Sequence, residues 1–591
     1  MVWMYFNAPD PNKQQAHKPI SVAETTTAQV SPNLQSNISA VNDSLGAGEQ
    51  SAAVLKLGKY FAPFATGAEK IFTIETDFFK AEFTSKGGML KRWELKEYTT
   101  WDKKNLVQLV SDSRIGDLSL LFTTTEGKII NTSALYFSQH ATFSSKIISS
   151  GEEFTLEYIL PVTETGKLVR RYIVKNGEYG FRTEQEFIEL QNIVSDEKFQ
   201  LAWERGIHYS EHNSVDESNN AKANGYSGGE LTEIDASSNG DVPKSNFSGI
   251  TEWVGTHTKY FGVALIPLQQ KTVGGFLEGK HITTENKGMI EKYTVALKLP
   301  FKGTREEKSS VTVFLGPLKR SVLQSYNVEL DKMLSLGWTW LVRPISEYFI
   351  LPLFNGLHSI IPNYGIVLII FAFIIKLLLH PLSKKSMHSM KKMQQLQPML
   401  SELKEKYKDD PTKLNQATMR LYSDYGVNPA GGCLPLVLQM PILFALFAVF
   451  SSTIYLRHAE FFGWINDLSA PDVLFTLPFA IPLFNIQDVS GLAFMMGITM
   501  FVQQKQTVTD PRQKMMVWMM PVMMTLLFNS FPAGLNLYYF LFNILSIVQQ
   551  WYINKQHSNE PLKKLEQKDR KPSWAERMMK QAETASKGKR K

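Results

Sequence analysis

The chain is poor in cysteine and lacks the common signatures of catalysis. Cys433 is the single cysteine among 591 residues, so no intramolecular disulfide can form, and a disulfide-stapled secreted scaffold is excluded. No HExxH or CxxC pattern occurs. Segment 274–281 (GGFLEGKH) fails as a P-loop, because His281 stands where Ser or Thr must ligate magnesium. The sequence therefore predicts no catalytic residue, no metal site and no cofactor.

Acidic residues are scarce in the second part of the chain. Residues 1–335 carry 36 Lys+Arg and 40 Asp+Glu, whereas residues 336–591 carry 27 and 16. Two parts that differ this much in charge have to be interpreted separately. The whole chain also contains 37 Phe, 21 Tyr and 11 Trp, which is too many aromatic residues for global disorder.

The first part divides into a polar linker and a domain of strands. Residues 7–56 contain few large apolar side chains and cannot bury enough surface to offset ordering entropy, so we predict a disordered linker there. Residues 57–335 show period-two apolar alternation, as at Phe79, Ala81 and Phe83, between Asn-Gly and Gly-Gly turn signals. This pattern predicts an all-β sandwich domain.

Long runs without charge dominate the second part. They predict an α-helical multi-pass membrane protein with five core transmembrane helices, at residues 365–382, 429–456, 489–504, 515–531 and 533–553. Very hydrophobic core helices of a soluble domain are the alternative. Residues 489–504 rise only about 24 Å, against a hydrocarbon core of about 30 Å, so we expect the bilayer to thin locally.

Basic residues are concentrated in alternate loops. Residues 383–428 carry nine Lys+Arg and five acids, residues 505–514 carry three and one, and the tail from residue 555 carries twelve and five. The loop at 457–488 carries one and four. Because Lys- and Arg-rich loops stay in the cytoplasm, we predict a cytoplasmic C-terminus and a β domain on the outer side of the membrane.

An exported domain needs a signal or an anchor, yet only residues 1–6 precede the linker. Six residues cannot span a membrane. We therefore predict that this segment is the remnant of a first transmembrane helix. The predicted organisation also includes an interfacial amphipathic helix at 336–364 and a basic cytoplasmic tail at 554–591.

Lys376 is the candidate functional charge. It lies within the apolar run 366–379, where a charge near the bilayer centre costs about 2.5 to 3.5 kcal/mol on insertion scales. The side chain could instead snorkel toward the headgroups near Lys384. Since three leucines continue the apolar run beyond Lys376, we favour a functional cation in a wet cleft that attracts acidic groups of a passing chain.

The segment 383–428 is predicted to form a cytoplasmic helical hairpin. One apolar stripe recurs along its first helix at helical spacing. Its first positions are Met387, Met390, Met393 and Leu396. Asp410-Pro411 offers an N-cap followed by proline at the first helical position, which opens the second helix. Two interpretations stay open: the stripe holds the two helices together, or it is a surface for a client or partner.

Polar residues interrupt the predicted spans. They are Gln439, Asn529, Ser530, Asn536 and Asn543. Such side chains either hydrogen-bond one helix to another or line an aqueous cavity, and the sequence does not distinguish the two. Fifteen of the 22 methionines lie between Met387 and Met524. Flexible thioethers suit a surface that accepts many apolar partners, although membrane packing explains part of this distribution.

Several motifs identify a family. They are Leu396-Gln397-Pro398, residues 427–435 (VNPAGGCLP) leading into Gln439-Met440-Pro441-Ile442, Thr509-Asp510-Pro511, and residues 531–535 (FPAGL) before Leu537-Tyr538-Tyr539. In this order and spacing, over about residues 338–552, the chain resembles the YidC/Oxa/Alb superfamily of membrane protein insertases. Upstream, the aromatic-rich segment 253–267 and the strand ending at Gly316-Pro317 more weakly resemble the large periplasmic β-super-sandwich of its Gram-negative form.

The resemblance implies an insertase and chaperone of the bacterial inner membrane, not an enzyme. It inserts and helps to fold newly made membrane proteins, alone or with the Sec translocon. The implied partners are nascent membrane proteins, the ribosome, the Sec translocon and the phospholipid bilayer, with no specific nucleic-acid sequence.

The resemblance also implies a site. A hydrophilic groove holds one basic residue, a position that Lys376 occupies, although the family commonly has arginine there; lysine keeps the charge but loses the planar fork of donors. The resemblance assigns groove lining and client contact to Ala372, Gln439, Met440, Asn536 and Tyr539. The hairpin and the basic tail match the regions that meet ribosome and client.

Two other functions stay open on the sequence alone. A transporter or channel would bind an anionic solute at Lys376, but such proteins are expected to show inverted repeats with broken helices, which we do not find in the sequence. A sugar-binding or sugar-modifying role is the second, because the predicted sandwich resembles carbohydrate-handling folds.

Overall fold

The computed structural model describes residues 47–110, 117–139, 141, 143–238, 240, 242–268, 271–284, 288–427, 434–481, 486–507, 514–556 and 564. The predicted helix remnant at 1–6 and most of the predicted linker lie outside these residues. The described end of that linker belongs to helix α1 (Ala47–Phe61), so the disordered linker is wrong for residues 47–56. Ala, Leu and Lys favour a helix there. The backbone leaves the helical conformation at Gly58, and Leu57 and Phe61 on either side of this kink are buried in the core.

Short strands follow, as the alternation predicts. They are β1 (Ile71–Glu75), β2 (Phe79–Thr84), β3 (Met89–Thr99), β4 (Leu106–Val110), β5 (Ser119–Thr123), β6 (Ile129–Asn131), β7 (Ser138–Gln139), β8 (Ser145–Ile147), β9 (Glu153–Pro161), β10 (Lys167–Lys175), β11 (Gly180–Ile188), β12 (Lys198–Trp203), β13 (Lys222–Ser227), β14 (Glu230–Ile234), β15 (Lys244–Ser248), β16 (Thr251–His257), β17 (Phe261–Pro267), β18 (Gly274–Thr283), β19 (Met289–Pro300) and β20 (Glu306–Pro317). Segment 274–281 therefore lies in strand β18, which is not the helix N-terminus that a P-loop requires.

These strands form three sheets. A nine-stranded sheet has the order β14-β13-β16-β17-β20-β11-β10-β9-β7. A six-stranded sheet has the order β15-β18-β19-β12-β5-β6, and a five-stranded sheet has the order β4-β3-β2-β1-β8. The described pairings are antiparallel except that of β1 with β8, which is parallel.

The two smaller sheets cover one face of the large sheet. Phe181 and Phe187 have the same parity on β11, so their side chains point to the same face. Phe181 contacts Phe83 of the five-stranded sheet at 5.5 Å between ring centroids. Phe187 contacts Phe122 of the six-stranded sheet at 5.7 Å. Residues 71–317 thus form the predicted β-sandwich, and these four aromatic side chains lie between its layers.

Helices make up most of the remaining described chain. They are α2 (Ser214–Asn220), α3 (Arg320–Gln324), α4 (Val342–Ile345), a π-helical stretch (Ser346–Ile350), α5 (Leu351–His358), α6 (Tyr364–Gln395), α7 (Gln397–Lys406), α8 (Pro411–Asp424), α9 (Leu434–Ser452), α10 (Gly491–Thr507), α11 (Lys514–Phe528) and α12 (Ala533–Gln556), with short 3₁₀ turns at Ala62–Phe64, Thr132–Ala134, Leu330–Met333 and Ile454–Leu456.

The predicted interfacial helix at 336–364 is shorter than expected. Its helical part consists of α4, the π-helical stretch and α5, from residue 342 to residue 358. The stretch is two-sided, since Tyr348 is 77% exposed whereas Ile350 and Phe354 are buried. Ser346 ties it to the bundle by donating to the carbonyls of Val342 and Ala445 at 3.0 and 3.4 Å.

No break in the helix marks the boundary predicted between residues 382 and 383. Helix α6 continues without interruption from the predicted span into the first arm of the hairpin, with Pro381 inside it. No capping residue or glycine stops the helix at that point, and the following Ser, Lys and Met residues are compatible with a helix. The second arm begins as predicted, because the Asp410 carboxylate caps α8 by accepting from the Lys413 backbone N–H at 3.0 Å.

The loop predicted at 457–488 also contains regular structure. Strands β21 (Val473–Ile481) and β22 (Ile486–Ser490) pair as an antiparallel hairpin that ends directly before α10. The charge count that defined this loop carries no information on strands, whereas its apolar β-branched and aromatic residues favour them. The turn at 482–485 lies outside the described residues.

Each predicted span overlaps a described helix. Residues 429–433 of the second span and most of the predicted basic tail at 554–591 lie outside the described residues. By length and composition, helix α6 is long and apolar enough to cross a membrane. Shorter apolar helical stretches lie at Gln439–Ser452 and Val517–Phe528. The structure therefore supports a β-rich domain followed by a helical region, and the count of five spans stays a prediction.

Candidate functional site

Lys376 is buried between helices α6 and α12. It is 8% exposed, and its Nζ donates to Ser546 Oγ at 2.6 Å and lies 4.4 Å from the centroid of the Phe542 ring. Among the described residues, no carboxylate pairs with this ammonium group. A charge removed from water costs several kcal/mol unless it is paired, so this arrangement leaves Lys376 poorly compensated.

The partner of Lys376 belongs to a polar face of α12. Polar side chains recur along this helix at spacings of three and four residues, so they lie on one face. This polar stripe consists of Asn536, Tyr539, Asn543, Ser546, Gln550 and Asn554. Ser546 and Gln550 are almost completely buried, at 2% and 1% exposure. The stripe is therefore a line of hydrogen-bonding groups inside an otherwise apolar bundle.

Hydrogen bonds place the stripe between α6 and α10. Asn543 Nδ2 donates to Thr499 Oγ1 on α10 at 3.5 Å, which supports helix-to-helix bonding for this residue. Ser546 Oγ accepts from Lys376 and donates to the Phe542 carbonyl at 2.7 Å. Gln550 Nε2 donates to Asn554 Oδ1 at 2.9 Å, while its buried Oε1 has no hydrogen-bond partner among the described residues. Gln550 Oε1 thus remains available as an acceptor, near the end of α12 that the loop charges predict to be cytoplasmic.

The sequence-based prediction missed Ser546 and Gln550. A signal was available, because polar residues in the apolar segment 533–556 follow the helical period. Asn536 and Asn543 already mark this periodic face in the sequence. Extending the period from Asn536 and Asn543 places Ser546 and Gln550 on the same face of the helix.

The predicted groove residues lie on three helices. Ala372 is fully buried one turn before Lys376 on α6. Gln439 and Met440 are half-buried on α9, which contacts α6 and α12. Asn536 and Tyr539 belong to the polar stripe, but about 15 and 10 Å along the helix from Ser546. The structure therefore brings Lys376 and Ser546 into contact and places the other predicted residues on the surrounding helices.

Asn536 and Asn529 have evident structural partners. Asn536 Nδ2 donates to the Phe528 carbonyl at 3.1 Å and so links α12 to the end of α11. Asn529 Oδ1 accepts from the Ser490 backbone N–H at 2.9 Å, and its Nδ2 donates to the Asp488 carbonyl at 2.7 Å. Asn529 therefore joins two connections, and hydrogen bonding explains it without a cavity.

The first arm of the hairpin is fastened to the bundle. Lys391 Nζ donates to the Asn554 carbonyl at 3.1 Å, and Gln394 Nε2 donates to the Gln506 carbonyl at 2.9 Å. These carbonyls lie in the last turns of α12 and α10, where backbone acceptors lack helical partners. The extension of α6 thus connects the ends of two other helices.

The apolar stripe of the hairpin is divided between two environments. Leu396 is fully buried, which agrees with a packing role. Met387, Met390 and Met393 are half-buried, so part of each side chain stays accessible. The apolar stripe of the hairpin can therefore either hold the two helices together or contact a client or partner.

A second charged site joins the β domain to the helical region. The Arg457 guanidinium contacts Glu211 Oε1 at 2.8 Å, donates to the Thr99 carbonyl at 2.6 Å, and lies over the rings of Tyr260 and Phe261. Its side chain is 2% exposed. We call this arrangement the Arg457 junction.

Neighbouring groups extend the junction. His458 Nδ1 lies 3.4 Å from Thr99 Oγ1, and burial lowers the pKa of its imidazole. Lys103 pairs with Glu460 at 2.6 Å in a more exposed position. Among the described residues, no group of three or more His, Cys, Asp or Glu side chains is placed to hold a metal ion.

Comparisons with known proteins cover both regions. The family model of the 60Kd inner membrane protein matches residues 356–560, and the model of the YidC periplasmic domain matches residues 71–348. The membrane protein insertase YidC of Prosthecochloris aestuarii is 39% identical over 566 residues, which is 95% of this chain and 93% of the relative. That of Chlorobaculum parvum is 38% identical over 574 residues, with coverage of 95% and 93%.

A solved structure is also similar. The crystal structure of an active YidC insertase with its first transmembrane domain resolved is 20% identical, and the match covers 85% of this chain and 97% of that one, with a TM-score of 0.35.

Proposed function

The chain belongs to the YidC family of membrane protein insertases, inner-membrane proteins with a periplasmic domain, and from this premise we propose how it works. It inserts newly synthesised proteins into the bacterial inner membrane and assists their folding, alone or with the Sec translocon. Lys376 and the polar stripe form the hydrophilic groove in which the translocated part of the client is held.

The buried and uncompensated charge of Lys376 is the observation that carries this proposal. One hydroxyl and one ring satisfy it only in part, and no described carboxylate pairs with it. An acidic group of a client would complete the pair inside a bundle of low polarity, where attraction between charges is stronger than in water. Lys376 therefore favours clients with acidic translocated segments.

The polar stripe supports the same step. A client segment that crosses about 30 Å of hydrocarbon leaves backbone groups unsatisfied, at several kcal/mol each. Hydroxyl and amide groups at Ser546, Asn543 and Gln550 can exchange hydrogen bonds with such a backbone. Partition of the client's own apolar span into lipid then drives release, so the step requires neither a nucleotide nor a catalytic residue.

Exposed apolar side chains support a bilayer around the helices. Large exposed residues cover α10 and α11, including Phe494, Ile498, Trp518 and Val522, each at least half exposed. A soluble protein rarely leaves such a continuous apolar surface in water. We assign the spans to 365–382, 429–456, 489–504, 515–531 and 533–553.

Aromatic residues agree with two membrane interfaces. Trp338, Trp340 and Tyr348 are exposed before α6, and Trp551 and Tyr552 are exposed near the end of α12. Tryptophan and tyrosine are enriched at both interfaces of a bilayer. In this assignment the C-terminus is cytoplasmic, and the hairpin at 383–428 and the basic tail at 554–591 meet the ribosome and the client.

Replacing Lys376 tests the proposal. The full chain is reconstituted in vesicles, and insertion is measured as protease protection of two clients that differ only in an acidic or a neutral translocated tail. We expect Lys376→Ala to reduce insertion of the acidic client more than that of the neutral client, because only the acidic client uses the charge. Lys376→Arg keeps the charge and should be tolerated.

Lys384→Ala is the matched control, since this exposed lysine lies two turns further along the same helix. Any effect of this variant should be the same for both clients, because it leaves the Lys376 charge in place. Equal insertion of the acidic client by the parent, Lys376→Ala and Lys376→Arg would overturn the charge-based groove.

A further inference from the structure

The hairpin of β21 and β22 is unusual because several apolar side chains of β21 are exposed. Val473, Leu474, Phe475 and Phe479 are 46%, 47%, 52% and 61% exposed. The pairing register shifts between Val473 and Phe475, so simple alternation does not apply there. All four consecutive residues 473–476 are nevertheless exposed, which leaves both faces of the strand uncovered. Packing against one protein surface would cover only one of them. A hairpin of this kind in water is an aggregation hazard.

The base of the hairpin is held firmly. Asp472 accepts from Ser490 Oγ at 2.5 Å, from the Leu492 backbone N–H at 2.7 Å and from Trp464 Nε1 at 3.0 Å. Asn529 binds the same connection through Ser490. The hairpin is therefore fixed to the first turn of α10, and its exposure does not result from a loosely attached segment.

The apolar surface of the hairpin continues that of α10. The last residue of β22, Ser490, directly precedes α10, whose exposed residues Phe494, Ile498 and Val502 recur every four positions and form one strip. In the proposed function this strip faces lipid. A hairpin fixed at the top of the strip extends the same apolar surface to the membrane boundary.

We propose that β21 and β22 lie in the outer leaflet of the bilayer, at the boundary between headgroups and acyl chains, with phospholipid as their partner. The edges of a two-stranded sheet keep unpaired backbone groups, which cannot be satisfied in the hydrocarbon core. At the boundary, water reaches these edges while the side chains of Phe475 and Phe479 enter the acyl region to a depth of about 5 to 10 Å. The inference rests on the membrane position in the proposed function.

Such a hairpin has a consequence for insertion. It occupies leaflet area next to the outer ends of α10 and α11, which Asn529 connects to it. Lipid chains there must shorten or tilt around the strands. The outer leaflet is thereby thinned on the side where a translocated segment emerges, and this adds to the thinning caused by short spans.

Depth-dependent quenching tests the inference. The full chain with Cys433→Ser receives a single cysteine by Phe475→Cys or, separately, Phe479→Cys. Each variant is labelled with an environment-sensitive fluorophore and reconstituted in vesicles of phosphatidylethanolamine and phosphatidylglycerol. Quenchers are nitroxide lipids labelled near the headgroup or at the chain end, and aqueous iodide. We expect emission that is blue-shifted relative to the same fluorophore in water. The nitroxide near the headgroup should quench it more strongly than the nitroxide at the chain end, and iodide should quench it weakly.

Two control positions separate the possible failures. Ile147→Cys, on the exposed strand β8 of the β domain, should respond to iodide alone, and Ile498→Cys, on the lipid-facing strip, should respond to the lipid quenchers. Iodide quenching of both hairpin labels, or shielding from all quenchers as in a protein contact, would overturn the inference while Ile498 still reports lipid. Failure of Ile498 itself would overturn the membrane position on which the proposed function depends.

Discussion

Buried cations are treated differently in the two regions of this protein. In the β domain, Lys259 pairs with Asp216 at 2.7 Å, and the fully buried Arg170 donates to two backbone carbonyls, at 2.8 and 2.6 Å. At the junction, Arg457 pairs with Glu211 at 2.8 Å. In the helical region, Lys376 has one hydroxyl and one ring. A paired buried charge becomes a fixed part of the fold, whereas an unpaired one keeps free energy available for a partner. The comparison separates cations that hold the structure from the one proposed to act on a client.

The largest expected effect tests the paired side of this comparison. Arg457→Ala leaves the nearly buried Glu211 carboxylate without its partner and removes the donor to the Thr99 carbonyl. We expect the free energy of unfolding to fall by about 3 to 5 kcal/mol, the usual result of breaking a buried pair. Thermal unfolding of the detergent-solubilised full chain measures it.

Lys103→Ala is the control for the junction, because its pair with Glu460 is exposed. Exposed pairs contribute about 1 kcal/mol or less. Equal loss of stability in the two variants would remove the distinction between a buried junction and ordinary surface pairing.

For the unpaired cation Lys376, we expect the opposite change in the free energy of unfolding. Lys376→Met removes a buried charge and keeps an unbranched side chain of similar length. We expect unfolding free energy to stay the same or to rise by up to about 2 kcal/mol, because replacing buried charges with apolar groups is often neutral or stabilising. Insertion of an acidic client should fall in the same variant.

The informative measurement for Lys376→Met is therefore stability and insertion on one preparation. A loss of stability as large as that of Arg457→Ala would mean that Lys376 holds the bundle together, and the comparison between the two regions would fail.

The smallest effect concerns the partner of the lysine. Ser546→Ala removes the hydroxyl that accepts from Lys376 and should cost about 1 kcal/mol of stability, as for one hydrogen bond. Ser401→Ala on the exposed face of α7 is the matched control, since its hydroxyl bonds only its own helix at the Gln397 carbonyl in the described structure. No difference between the two serines would show that Ser546 contributes nothing to holding Lys376.

Local patterns predicted most of the architecture. Alternation gave strands such as β2, and runs without charge coincide with α9, α10, α11 and α12, because both signals come from neighbouring residues. The end of a helix was harder to predict, because no capping residue follows Leu382 and α6 continues past it. Strand β21 was not predicted, because the loop that contains it was defined by its charge count alone. Sequence was also a poor guide at the linker, where tertiary contacts of Leu57 and Phe61 stabilise α1.

The site was predicted in part. Lys376 was found because a charge in an apolar run is conspicuous without a structure. Ser546 was missed although its period was readable. Arg457 and Glu211 are 246 residues apart, and no local pattern connects them. Pairings of this kind depend on how the chain returns to itself, so they required the structure.

The unbroken helix α6 carries both Lys376 and the first arm of the hairpin. Its 32 residues are about 48 Å long, so one end reaches well beyond a hydrocarbon layer of about 30 Å. Pro381 deprives the Leu377 carbonyl of its usual helical donor, so one hydrogen bond of the helix is missing little more than one turn from Lys376. Because Lys391 and Gln394 of the same helix also bond the ends of α12 and α10, a displacement of the hairpin arm would be passed along α6 toward Lys376.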